Sequence, residues 1–297
     1  MEVYLHLGAH KTATTFIQQT MQSNAETLAK SGIFAPRLED IRAAITPGMA
    51  GKPMLGFEKY ISLIVPENTL SHEALPERLI LSDENMVGYP AEIFAKGVFY
   101  LDAKQRLKVL KSWLPAPPTK IVFAVRPYTT FFSSAYAQWL GPFAKKYGPE
   151  KRFIPREVIH KKISGLKRGW PAIIRDVQKI FPDSQIIVKE YRPAPEYLQE
   201  MFEILLGDSA GELKYNAGYF WNRGLSADLV SELEAQLAKG EANPESVAKI
   251  RAQRSKNPSD LGAHFWPDDQ RKALLLRYEA DILTLKDMTN NKLIWMG

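Results

Sequence analysis

The stretch YLHLGAHKTATTF, residues Tyr4–Phe16, decides how this chain reads. A short apolar run ends in a glycine, a lysine follows among threonines, and a helical pattern then takes over. Glycine after a strand lets the backbone turn tightly and approach a ligand closely. Open N–H groups at the start of the next helix, together with the helix dipole, attract an anion. Lys11 adds a mobile positive charge, and Thr12, Thr14 and Thr15 add hydroxyl donors. A polar turn that binds nothing is the plain alternative. Three threonines, a lysine and a histidine crowded into it make that the weaker reading.

A P-loop NTPase would need glycine directly before the lysine and another five positions earlier. Those places hold His10 and Leu5, so only the pair Lys11-Thr12 fits. A kinase-like phosphotransferase is therefore disfavoured.

Outward from this loop, strand-like runs alternate with helical patterns. Val3–Leu7, Arg78–Ser82, Thr119–Val125 (TKIVFAV) and Gln185–Lys189 read as strands. TKIVFAV is continuous and apolar, as a strand buried on both faces should be. Helices are expected from Thr14 to about Lys30, with Gly32 as a stop, and over Lys104–Trp113, Thr129–Leu140 and Ile163–Phe181, with Pro171 as boundary or kink. Further helices are expected over Glu196–Leu206, Ser226–Lys239, Pro244–Ser255 and Pro267–Asp287. The alternation predicts an α/β fold with a doubly wound, mainly parallel sheet flanked by helices. The chain reads as a single domain, residues 1–297, with an insertion or lid at 36–71 and a C-terminal helical part at 226–290.

The 297 residues contain no cysteine, which excludes disulfides, thiolate metal sites and cysteine nucleophiles. No apolar run is long enough to cross a bilayer. The N-terminus shows no basic region and no cleavage site, so the chain reads as cytoplasmic. A formal net charge of +6 favours anionic ligands without choosing among them. His72, His160 and His264 show no metal-ligand spacing, and no metal is expected.

HLGAHKTATTFIQ resembles the 5′-phosphosulfate loop of the sulfotransferases that use 3′-phosphoadenosine 5′-phosphosulfate (PAPS), of the form H-x-G-x-x-K-T-G-T-T-x-x-Q. His6, Gly8, Lys11, Thr12, Thr14, Thr15 and Gln18 match; Ala13 stands where many members carry glycine. A methyl group there fits without strain if φ is negative. The family's second signature is a strand, then Arg, then a Ser eight residues on, holding the 3′-phosphate. IVFAVRPYTTFFSSAYAQWL supplies Arg126 and Ser134 at that spacing. About two helical turns separate them, which puts Ser134 near the face on which the helix begins. Weaker echoes are a Trp–helix–strand–Tyr stretch (Trp170, Phe181, Ile186–Val188, Tyr191) and the helix start at Asn222, Leu225 and Ser226.

The resemblance implies a P-loop nucleotide-hydrolase-like sulfotransferase architecture. PAPS is the donor and PAP (adenosine 3′,5′-bisphosphate) the product, with no metal. The donor's contacts would come from Gly8, Ala9, His10, Lys11, Thr12, Ala13, Thr14 and Thr15 and from Arg126 and Ser134. The acceptor would be a small molecule or glycan offering a hydroxyl or an amine. No nucleic acid and no membrane span are expected. RLILSDENMVG places Asp83 and Glu84 just after a strand, on the rim where ligands of parallel sheets collect. Family members often carry Ser-x-Glu here. Glu84 is the candidate base, with Asp83 as fallback, Lys11 stabilising the leaving phosphate and His10 beside it as a further catalytic candidate. A carboxylate beside an anionic donor should have a raised pKa. A non-catalytic nucleotide-binding protein is the main rival.

Overall fold

The fold was analysed in a computed structural model, which describes residues 1–64, 76–147, 154–215, 225–253 and 261–297. His72, Asn222 and residues 65–71 of the expected insertion lie outside that set.

Six strands form one all-parallel sheet: β1 (Glu2–His6), β2 (Ile33–Phe34), β3 (Arg78–Ser82), β4 (Lys120–Val125), β5 (Gln185–Glu190) and β6 (Leu293–Met296). Their order is β2-β3-β1-β4-β5-β6. Strand side chains alternate between two apolar layers, as a period of two requires. On β4, Ile121, Phe123 and Val125 enter the larger layer, and Val122 and Ala124 the smaller one. Helices Thr14–Ser23, Ala25–Lys30 and Pro195–Leu206 cover the smaller layer through Ile17, Met21, Leu28, Leu198 and Met201. The helices that bury Ile41, Leu107, Phe131, Ile173, Val230 and Leu274 cover the other. Trp170, fully buried, lies against Phe99, Phe123, Tyr128 and Phe131 at the centre of that layer.

The expected strands are present, and the sheet gains two more. β2 has two residues, too few for a periodic signal, and β6 is a short run at the chain's end. The expected helix Thr14–Lys30 is interrupted at Asn24, whose amide bonds Thr20 O at 2.8 Å and Lys214 O at 3.0 Å. The expected helix Ile163–Phe181 is two, Arg156–Ser164 and Trp170–Ile180. Pro171 opens the second instead of kinking one long helix, because a first-turn proline loses no hydrogen bond. In the region read as an insertion or lid, Leu38–Met49 and Phe57–Ile64 are helical, and Ile41, Ala44, Ile45 and Tyr60 are buried in the main core. The helices after residue 226 pack on the same layer, and the chain then returns to the sheet as β6. No described helix is long and apolar enough to cross a membrane.

Candidate functional site

In this strand order the connection leaving β1 runs to one side of the sheet and that leaving β4 to the other. Ligands of open parallel sheets bind in the crevice at the carboxyl ends of two such strands. The loop after β1 carries Lys11, and the residue after β4 is Arg126, so topology brings the two sequence motifs to one place. They touch: Arg126 Nη1 donates to the Lys11 carbonyl.

The loop begins as an extension of β1. Leu7 N donates to Val122 O at 3.0 Å and Ala9 N to Ala124 O at 2.9 Å, along β4. The chain then leaves the sheet through Gly8, at φ 90°. A Cβ on Gly8 would stand 2.7 Å from Glu84 Cβ, so only glycine lets the loop lie directly against the β3 turn. Lys11 and Ala13 both adopt the left-handed conformation, at φ 66° and 64°. The Ala13 methyl is thus in the strained setting, at a cost of roughly 1–2 kcal/mol. A glycine at this position would lack that strain.

Inside the loop, Thr12 Oγ1 donates to Ala9 O at 2.7 Å, and Tyr197 Oη reaches Thr12 O at 3.4 Å. Thr12 and Thr14 are buried, and Thr15 is exposed. No side chain caps the helix Thr14–Ser23, and its first turn holds no acidic residue. The first turn of the helix Tyr128–Tyr147 also lacks one. The positive ends of both helices therefore face the crevice region unopposed by carboxylates of their own.

Arg126 is half-buried. Its Nε donates to Thr130 Oγ1 at 3.1 Å, and its guanidinium carbon lies 4.9 Å from the centre of the Tyr191 ring. Trp170 Nε1 donates to the Arg126 carbonyl at 3.0 Å. Burial lowers the Arg126 pKa, and the groups that oppose this are tyrosines: Tyr191, Tyr197 and Tyr278. Among the described residues no carboxylate pairs with it. Ser134 is half-buried one turn beyond Thr130 on the same helix face, pointing the way Thr130 does.

The β3 turn forms the other wall. Glu84 opens a single turn of 3₁₀ helix, Glu84–Met86, capped by Asp83, whose carboxylate accepts Asn85 N at 3.0 Å. Arg42, from the helix Leu38–Met49, forks onto Asp83 at 2.8 and 3.2 Å and reaches Glu84 Oε1 at 3.4 Å. Gln18 donates to Ser82 O at 3.0 Å and to Glu84 Oε2 at 3.2 Å. Burial raises the Asp83 carboxyl above its usual value against the pull of Arg42. Its oxygens are taken by Arg42 and the cap, which suits a structural role and not that of fallback base.

Burial also pushes Glu84 up, but the adjacent His10 ring first, then the Glu84 backbone N–H, Arg42 and Gln18, together outweigh burial and hold it below the usual range. This is opposite in direction to the raised value expected beside a bound donor. The charged and hydrogen-bonding groups named above come from three separate segments, and no local pattern announces Arg42.

His10 is 4% exposed and its ring nitrogens are engaged, Nδ1 with Tyr100 Oη at 2.8 Å and Nε2 with the Asn85 amide at 2.9 Å. It braces the wall from within, and burial lowers its pKa against the pull of Glu84. His6 lies beneath the loop, with Nδ1 2.8 Å from Ser82 Oγ, and burial lowers its pKa to about 4. Gln18, Arg42, Asn85, Tyr100 and Tyr191 are site residues that the motifs did not nominate, Gln18 and Tyr191 having appeared only as pattern matches. Two surface hollows lie elsewhere, one by Phe181 and Lys292 and one by Arg175 and Arg277, and neither touches the loop. Among the described residues no group of His, Asp and Glu could hold a metal ion.

No protein-family model matches the chain, and no curated protein matches it in sequence.

Proposed function

We propose that this chain is a PAPS-dependent sulfotransferase with the P-loop-like architecture of that family. The observation that carries the reading is Arg126. A half-buried guanidinium at the topological switch point, touching the β1 loop and paired with no carboxylate among the described residues, calls for an anion. Its bonds use Nε and Nη1, which leaves Nη2 for a phosphate oxygen. Loop backbone, Lys11 and the uncapped helix start suit a second anionic group close by. One nucleotide with phosphates on both its 5′ and 3′ positions meets both needs.

In this reading the 5′-phosphosulfate lies against Gly8–Thr15, and Arg126 and Ser134 hold the 3′-phosphate. The acceptor oxygen attacks sulfur as Glu84 takes its proton. The bond from sulfur to the bridging phosphate oxygen breaks, and PAP leaves with the electron pair. Lys11 and the loop amides stabilise that charge. The low pKa of Glu84 keeps it charged, and so able to accept a proton, across the neutral range. The acceptor is a hydroxyl or amine compound, with carbohydrates among the candidates.

Thermal stabilisation by PAP, compared with ATP and Mg²⁺, tests the donor. A ligand at a hundred times its Kd adds about 2.7 kcal/mol. PAP should stabilise the protein and ATP with Mg²⁺ should do little. A larger effect of ATP with Mg²⁺ would favour a phosphotransferase. PAP binding without transfer from labelled PAPS to any acceptor in a broad panel would favour a non-catalytic nucleotide-binding protein.

A further inference from the structure

Arg42 belongs to no motif, yet its guanidinium sits against three consecutive side chains of the β3 turn. Nη2 and Nε fork onto Asp83, and Nη2 reaches Glu84. Asn85 completes the set. With its amide oxygen turned to Arg42, that oxygen accepts from Nη2 at 2.7 Å and Nε at 3.1 Å, while its nitrogen donates to His10 Nε2 at 2.9 Å. This orientation satisfies both ends of the amide. It also makes His10 Nε2 an acceptor, so the imidazole proton sits on Nδ1 and is donated to Tyr100 Oη. One arginine thus organises the turn and, through Asn85, the histidine behind it.

We propose that Arg42 is a positioning residue that holds the Glu84 carboxylate charged and aimed for the proton transfer assigned to it. The inference rests on that reading of Glu84. The groups facing Glu84 are His6 on β1, His10 on the loop, Gln18 on the helix Thr14–Ser23, Asp83 on its own turn, Tyr100 and Arg42. Arg42 is the one permanent cation among those named. Burial lowers the pKa of both histidines, so any charge on them depends on pH. Without Arg42, two adjacent carboxylates would face each other across a turn only 5% and 13% exposed at their side chains. One of them must then take up a proton more readily.

Carbon NMR of protein labelled at the glutamate side-chain carboxyl tests this directly, the Glu84 signal being identified by its loss in Glu84→Gln. In Arg42→Gln the Glu84 titration midpoint should rise by at least about one pH unit, a tenfold gain in proton affinity. Arg42→Lys, which keeps the charge but loses the fork, should fall between. Should Arg42→Gln fail to fold because Asp83 is left buried and unpaired, Arg42→Lys carries the test, and its midpoint should still lie above that of the unaltered protein. An unchanged Glu84 midpoint in either folded variant overturns the proposal. The acidic limb of the turnover–pH profile should move upward by the same amount. PAP binding is measured in parallel. A wild-type protein that ignores PAP would sink the donor reading while leaving the NMR outcome to stand or fall by itself.

Discussion

Two arginines stand on the same rim of the sheet, and their surroundings are opposite. Arg42 spends Nε and Nη2 on Asp83, Glu84 and Asn85, so its charge is balanced inside the protein. Arg126 has a carbonyl, a hydroxyl and an aromatic face, but no carboxylate among the described residues. A cation whose charge is cancelled locally organises its neighbours. One left uncancelled in a half-buried place is poised for an anion from outside. In the proposed reading, the difference divides the rim into a donor side around the β1 loop and Arg126, and an acceptor side around the β3 turn.

The contrast breaks most sharply at Glu84. Glu84→Gln should lower the transfer rate from labelled PAPS by about 10²–10⁴-fold, the usual range for losing a general base. PAP-induced stabilisation should be retained. An unchanged rate would remove Glu84 as the base and leave the acceptor side without its chemistry.

Next in size is Arg126→Ala, which should weaken PAP by about 2–4 kcal/mol, as measured by calorimetry, because the phosphate loses a charge-assisted partner. Arg42→Gln should leave PAP affinity nearly unaltered. Equal losses in the two variants would erase the division between the sides.

His6 lies under both sides and links them to pH. Its burial-lowered value of about 4 lies below the ordinary value of about 6.5 for an unfolded chain. The unfolded chain therefore binds the proton first. The stability contributed by neutral His6 is whole above about pH 6.5, falls as the pH drops towards 4, and levels off below. The loss should be about 3 kcal/mol, read from urea midpoints across that window. His6→Asn, which can keep a partner for Ser82, should flatten this limb; an equally steep limb would place the proton uptake elsewhere.

The smallest effect is expected in the donor loop itself. Ala13→Gly should relieve the left-handed strain at φ 64° and stabilise the protein by about 1 kcal/mol in urea unfolding. No gain would mean that the loop relaxes to a different backbone than the one described.

The central strands were legible because their side chains alternate into two apolar layers, and a run such as TKIVFAV has little else it can do. β6 escaped notice since a four-residue terminal run has no period to measure, and β2 is shorter still. Of the two roles read for Pro171, boundary or kink, the structure takes the boundary, and Gly165 and Gly169 flank the break between Arg156–Ser164 and Trp170–Ile180. At the site, the β1 loop could be read because its parts are consecutive: glycine, lysine, threonines, helix. On the β3 turn, Asp83 and Glu84 could be read at the end of a strand, but not the groups that hold them. Arg42, Asn85 and Tyr100 are drawn from segments far apart in the chain, and a hydrogen bond between distant residues leaves no local spacing to find.

Sequence alone therefore determined the parallel α/β plan and a loop fit for an anion, since both follow from local periodicity and from what consecutive backbone groups can offer. Tertiary structure decided which charges survive on the rim. Whether an arginine is neutralised depends on which carboxylates the fold brings beside it, and here it put three polar partners on Arg42 and, among the described residues, none with a negative charge on Arg126.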